Sequence, residues 1–421
     1  MEGLGFARSK EYWIRFGWGI LVGFLGALGA LGFNYIMNLG LQFLWPDQTG
    51  VVPFSGSIWI VVIMTVAGFI VGLLHQYTSA EDVDAVGGIV TGKLNLGPIP
   101  SALLVSLVSL VGGFSLGPEV PSGMLAAGLA TWISEKRKLS DEIRKSNIIS
   151  SITAAYGGLF TAPFGAFLIP VEMPHAQTLG SYGSLVIAAV AAIVGFVVFY
   201  VAGGDQFAGL LRILDLPEYT LEVWHLVVAV ILGVVGALLA FVYAITRGLL
   251  TRLVIPLKRF PIVRNTLAGL LLGLLGFALP LTLFLGSDGL VTVTENAAEL
   301  GVVLLIVYVF AKILATTGAL ATGFIGGPIF PLFFVGGTAG TVVSLLFPQI
   351  PPALSVSCMM VAVTAGVLPI PLALGVFVVL ITGVSLTEAV PLLLAAFVSF
   401  LIMKGFGLAA PPKAKESQSA E

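Results

Sequence analysis

The sequence predicts an all-α polytopic membrane protein, and three observations carry that prediction. Its 421 residues are 58% hydrophobic and only 10% charged, against roughly 25% charged in an ordinary soluble domain. The apolar residues form continuous runs, such as 18–35, 59–74 and 185–202. A membrane barrel would need short alternating strands instead. The basic residues gather between the runs: thirteen of the 19 Lys and Arg are Arg8, Lys10 and Arg15, or fall within 136–145 and 247–264. Those three segments are expected on the cytoplasmic side by the positive-inside rule. The acidic connection 203–222, where Arg212 stands alone against Asp205, Asp215, Glu218 and Glu222, is expected outside, as is 46–57, which has no basic residue.

In chain order the expected helices are 13–44, 58–77, 101–116, 122–133, 141–160, 164–173 and 181–201. After the acidic connection come 222–250, 261–285, 300–316, 332–346, 352–367, 371–382 and 386–403. Several fall short of the roughly 20 apolar residues that span a bilayer. Helices broken by Gly and Pro are tolerated only where they pack in protein or line a cavity, and in a transporter they mark the binding site. The expected organisation is a cytoplasmic segment 1–12, a first membrane repeat 13–202, an external connection 203–221, a second repeat 222–404 and a short disordered cytoplasmic tail 405–421. The N-terminal MEGLGFARSK has no cleavable signal pattern, so the first span is expected to serve as its own signal. One cysteine, Cys358, excludes a disulfide framework or thiolate cluster. No cofactor, metal or nucleic-acid partner is expected; the lipid bilayer is, with both termini on the cytoplasmic side of a plasma or inner membrane.

Gly117-Pro118-Glu119-Val120-Pro121 stands between two apolar runs, which places a carboxylate inside the membrane. Such a charge costs about 2.5–3.5 kcal/mol on insertion scales and usually marks function. Pro121 fits the first turn of a helix. That helix would begin in mid-membrane and aim its free amides at Glu119, forming an anion site. Glu119 is therefore expected to compete with a dissolved anion for that site; the bland alternative is a carboxylate neutralised by burial or by a partner. The motif recurs as Gly327-Pro328-Ile329-Phe330-Pro331, 210 residues on, and Ala162-Pro163-Phe164 recurs as Ile370-Pro371-Leu372. With the basic clusters on one side, the two halves are expected as an inverted repeat whose broken helices meet at the midplane.

These segments resemble the CLC family of chloride channels and chloride/proton antiporters. The stretch from Gly117 resembles its Gly-Arg-Glu-Gly-Pro motif. Phe160-Thr161-Ala162-Pro163-Phe164-Gly165-Ala166, running to Val171-Glu172-Met173, resembles its Phe-Asn-Ala-Pro-Leu-Ala-Gly segment that ends in paired glutamates. Lys312 and Gly326-Gly327-Pro328-Ile329-Phe330-Pro331 resemble its Lys-bearing helix and Gly-Gly-Ile-Phe-Ala-Pro. The resemblance covers roughly 83–403 in family order. It implies a CLC-type inverted-repeat bundle, a homodimer with one pathway per subunit, and voltage-gated-type chloride transport. The anion would be held by helix-end amides, with Glu119 as the gate whose ionised carboxylate plugs the path. Gly117, Val120, Ile329 and Phe330 would frame the site, and the loosely aligned Gly87 and Gly88 would stand where the family has Gly-Ser-Gly-Ile-Pro, or form an ordinary flexible pair.

The departures bear on mechanism. Pro118 replaces the family's arginine, which weakens attraction of anions, and Pro328 has no N–H to offer. No tyrosine follows Tyr308, so the family's tyrosine ligand has no counterpart. The second of the paired glutamates is Met173, whose thioether relays no proton. This favours passive conduction, with proton-coupled antiport as the alternative. In that case Glu172, displaced by one residue, or His175 would be the relay, histidine titrating near neutrality. Their bland readings are a helix-end carboxylate and a loop residue. The anion is chloride or similar, a fluoride-preferring branch of the family keeping fluoride open. Dimerisation is expected through 164–173, 181–201, 371–382 and 386–403.

Two other classes are weighed. Intramembrane enzymes need paired catalytic groups, but His75, His175 and His225 lie at membrane edges and no Asp pair sits in an apolar run. An unrelated ion-driven carrier would carry several intramembrane carboxylates; only Glu119, Glu172, Glu295 and Glu388 qualify. Lys312 either anchors a helix or adds positive potential beside the path.

Overall fold

A computed structural model describes residues 8–45, 57–82, 94–172, 182–204 and 213–407. Among these residues the chain forms fifteen α-helices and no sheet. Their starts follow local chemistry. The helix α1 (Lys10–Leu44) is capped by Ser9, whose side chain accepts from the Tyr12 amide. It is followed by α2 (Trp59–Tyr77), α3 (Ile99–Val111) and α4 (Glu119–Lys136). Ser140 caps α5 (Asp141–Leu159), with Asp141 and Glu142 in its first turn, where acidic groups complement the positive helix end. The first half closes with α6 (Pro163–Glu172) and α7 (Tyr182–Ala202). Arg15 and Glu142, 2.8 Å apart, tie the starts of α1 and α5 together.

The second half opens with α8 (Val223–Val254), whose cap Glu222 exchanges hydrogen bonds with His225. Then come α9 (Pro261–Ala278), α10 (Ser287–Glu295), α11 (Ala297–Thr322), α12 (Ile329–Leu346), α13 (Pro352–Val367), α14 (Pro371–Thr382) and α15 (Ala389–Gly405). Proline opens α9, α13 and α14, where its missing N–H costs nothing. Gly323 at φ 97° ends α11 and Gly383 at φ 67° ends α14. Among the described residues seven helical segments are long and apolar enough to cross a membrane, and five apolar ones of 10–17 residues are not.

The duplication is visible helix by helix. α4 and α12 are both 18 residues long, and their first residues are 210 apart. α1 pairs with α8, α2 with α9, α5 with α13, α6 with α14 and α7 with α15 in the same order. Packing relies on close backbone approach, as membrane helices require. A β-carbon on Gly195 of α7 would overlap the Ala154 carbonyl of α5, and one on Gly269 of α9 would overlap the Met64 carbonyl of α2.

Several expected boundaries differ. The expected segment 101–116 stops at Val111, because Gly112 and Gly113 follow and Gly113 takes φ 89°. α4 starts at Glu119 rather than 122, since Pro121 is still within the first turn. The expected 261–285 ends at Ala278; Leu279 precedes Pro280, which disfavours helix. α10 was not expected at all, its polar sequence SDGLVTVTE burying only Leu290 and Val293. α11 runs on from 316 to Thr322, with the Thr316, Thr317 and Thr322 hydroxyls donating to the carbonyls of Lys312, Ile313 and Gly318.

Candidate functional site: the Glu119–Ile329 junction

The two proline-marked motifs face each other at the centre of the bundle. Gly117 donates its N–H to the Gly327 carbonyl and Gly327 donates to that of Gly117, both at 2.7 Å, an antiparallel bridge between the repeats. Two residues beyond each glycine a helix begins, α4 at Glu119 and α12 at Ile329. Glu119 is 2% exposed. Its Oε1 accepts from the Ile329 amide at 2.7 Å, and its Oε2 has no partner among the described residues.

The carboxylate reaches across the two repeats to the N-terminus of α12, and the backbone amide of Glu119 itself, at the start of α4, also faces it. The reason is geometric: the glycines leave a slot. A β-carbon on Gly327 would overlap Glu119 Cδ and Oε1, and one on Gly117 would overlap Oε2. The positive end of α12 favours the negative group that lies there. Proline interrupts both helix starts, so donors are few. Pro328, Pro331 and Pro121 have no N–H. The Val120 and Phe330 amides, second in their helices, have no acceptor among the described residues. They complete a small cluster of inward donors with Ile329.

Aromatic rings close the site on one side. The Phe330 ring lies against Gly117. It stacks on Phe160 at 5.3 Å, which stacks on Phe377 at 4.2 Å. Phe160 is the residue after α5, Phe377 belongs to α14, and Phe160 meets Tyr156 edge to face at 5.9 Å. Asn34 of α1 donates to Ser122 at 3.2 Å, holding α4 one turn below the gate.

Of the other expected site residues, Gly87, Gly88, Met173 and His175 lie outside the described residues. Glu172 ends α6 and reaches across the repeats. Its Oε1 accepts from the Leu372 amide and its Oε2 from the Ala373 amide, each at 2.8 Å. Both oxygens therefore cap α14, the geometry of its structural reading. Each of these glutamates in the first repeat thus sits on the start of a helix of the second.

Lys312 takes the anchoring position. It is fully buried, and its Nζ donates to the carbonyls of Leu281, Thr282, Leu283 and Phe284 at 2.8–3.3 Å. The Phe334 ring lies 5.0 Å away. Sequence alone gave no sign of this four-carbonyl cage, because the turn that builds it comes from the short stretch after α9. A second network also escaped notice. Arg264 binds Glu81 and Asn265, Asn265 donates to the Thr322 carbonyl, and His75 Nε2 lies 2.9 Å from the Gly323 carbonyl. It ties α2, α9 and the end of α11 where the chain turns toward Ile329. Glu295 is exposed. Glu388 accepts from the Tyr219 and Ser385 amides at 3.2 and 2.6 Å.

The sequence pattern of the family described as "Voltage gated chloride channel" matches residues 63–404. The chain is 25% identical to the "Putative ion-transport protein YfeO" of Salmonella typhimurium over 362 residues, 80% of this chain and 82% of that protein. It is 26% identical to its counterpart in Salmonella paratyphi A over the same shares. In fold it is similar to a slow cyanobacterial Cl⁻/H⁺ antiporter, with TM-score 0.79, 18% identity and coverage of 93% of this chain and 95% of that one. A CLC-type fluoride/proton antiporter follows at TM-score 0.73 and 19% identity over 94% and 96%.

Proposed function

The chain belongs to the voltage-gated chloride channel (CLC) family of membrane anion transporters, and from that premise we propose that it conducts chloride, or a similar small anion, through a pathway gated by Glu119. The observation that carries this reading is the Glu119 carboxylate held by the Ile329 amide between Gly117 and Gly327. A carboxylate bound there occupies the donor that a passing anion needs. When the carboxyl is neutral or swings away, Ile329, Phe330 and Val120 offer their amides to the anion. Backbone dipoles replace part of the hydration shell without fixed positive charge, which allows fast release. Gly87 and Gly88 would line the same pathway.

Passive conduction is the favoured mode. It is supported by Met173 in place of a second relay carboxylate and by the engagement of both Glu172 oxygens with α14. Proton-coupled exchange of chloride or fluoride is the second reading, favoured by the fold shared with proteins described as Cl⁻/H⁺ and fluoride/proton antiporters. Glu172 and His175 would then be the inner relay candidates. The protomers would pair through α6, α7, α14 and α15, whose outer faces expose Phe164, Val197, Tyr200, Val390 and Leu401. Each would keep its own pathway, with both termini on the cytoplasmic side of a plasma or inner membrane.

Simultaneous recording of chloride efflux and external pH from liposomes, with and without a potassium ionophore, separates the two modes. Chloride leaving without proton movement is the expected result. Protons moving uphill in step with chloride would replace conduction by antiport and turn attention to Glu172 and His175.

A further inference from the structure

Two polar groups beside the gate have complementary needs that remain unmet. Glu119 Oε2 lies against Gly117, buried and without a partner. Tyr156 of α5 makes no hydrogen bond among the described residues. Its Oη points at α4, 2.5 Å from where a β-carbon of Gly123 would sit. Gly123 follows Glu119 by four residues, so the two share a helix face, about 6 Å apart along the axis. The surroundings of the phenol and the carboxylate are apolar: Phe160, Phe330 and Phe377 form the stack beside them. Asn34 and Ser122, also near this turn, are bonded to each other. Tyr243 of α8 is the other titratable side chain in electrostatic reach of Glu119, and it lies beside Arg247, one turn along its own helix.

A buried carboxylate oxygen without a donor is costly, and the half-buried Tyr156 hydroxyl is a donor within reach of the same helix face. Rotation of the Glu119 side chain down the face of α4 brings the two together. We propose that Tyr156 is a positioning residue of the gate: its hydroxyl donates to the Glu119 carboxylate once that carboxylate leaves the Ile329 amide. Tyr156 thereby sets how much of the time the ionised gate stands clear of the anion site. Gly123 is the position that lets the hydroxyl come this close to α4. This inference rests on the gating role of Glu119 proposed above.

The test is chloride efflux from liposomes across a pH series, for wild type, Tyr156→Phe, Gly123→Ala, Glu119→Gln and the Glu119→Gln, Tyr156→Phe double variant. Losing one hydrogen bond to a charged group is expected to slow Tyr156→Phe about tenfold. The deficit should be confined to conditions where Glu119 is ionised and should vanish in acid, where a neutral carboxyl no longer needs the phenol. Gly123→Ala keeps the hydroxyl but pushes it off α4, and should show the same slowing. In the Glu119→Gln background Tyr156→Phe should change nothing, because coupled residues are not additive. Wild-type rates in Tyr156→Phe, or the same slowing with Glu119→Gln, would overturn the assignment. Should Tyr156→Phe fail to elute as a single folded species, Gly123→Ala decides, and a wild-type rate there overturns it. Loss of flux in Glu119→Gln alone would overturn the gating role itself and is read separately.

Discussion

Gly327→Ala is expected to unlatch the gate and raise chloride flux about tenfold at neutral and alkaline pH while flattening its pH dependence. The added β-carbon overlaps the Cδ and Oε1 of Glu119. Those atoms are the far end of a flexible side chain, so the carboxylate yields and the backbone need not. The bond to the Ile329 amide is then lost. A charge-assisted hydrogen bond of that kind contributes about 1.5–3 kcal/mol, which sets the tenfold scale. The paired hydrogen bonds between Gly117 and Gly327 use main-chain atoms alone, and alanine can keep them. The measurement is efflux from liposomes loaded with chloride at a series of pH values. A variant that folds, and keeps both the wild-type rate and its pH profile, would show that the glycine slot does not hold the gate.

Lys312→Met is expected to destabilise the protein by about 1–3 kcal/mol or more, the scale for leaving buried acceptors without their donor. Four carbonyls, from Leu281 to Phe284, now converge on one ammonium. Methionine fills similar space and offers them nothing, so their desolvation is left uncompensated. Arginine should not rescue the loss, because its planar fork cannot point at four oxygens around one centre. The turn that Lys312 holds leads into α10, and Gly286 at its entrance packs on both Lys312 and Phe334. Thermal unfolding in detergent, followed by loss of the monodisperse species, measures the effect. An unchanged transition in Lys312→Met would mean that the cage contributes nothing to stability.

The legible and illegible parts of this molecule divide by the range of the interaction. Composition and apolar runs are local, and they were enough for an all-α membrane bundle. The motif pair at Glu119 and Ile329 was also readable, because proline and glycine mark helix starts wherever they occur; the 210-residue offset reappears as the spacing of the Glu119–Ile329 hydrogen bond. That the Glu119 carboxylate itself accepts from the Ile329 amide was not readable, because only the juxtaposition of the two repeats brings the pair together. The same limit hid the Lys312 cage, the Arg264–Glu81–His75 network and the capping of α14 by Glu172, each of which joins residues far apart in the chain. α10 was missed for a different reason: a nine-residue helix with two buried apolar positions has no run or period to read.

The account turns on whether Glu119 plugs the path, and chloride efflux from Glu119→Gln liposomes, measured from acid to alkaline pH, tests that most directly. Glutamine keeps the shape of the side chain but stays neutral, like a carboxyl held permanently protonated. The gating role predicts that this variant conducts chloride at every pH, at or above the fastest wild-type rate, with little pH dependence left. Folded Glu119→Gln protein that passes no chloride would contradict it.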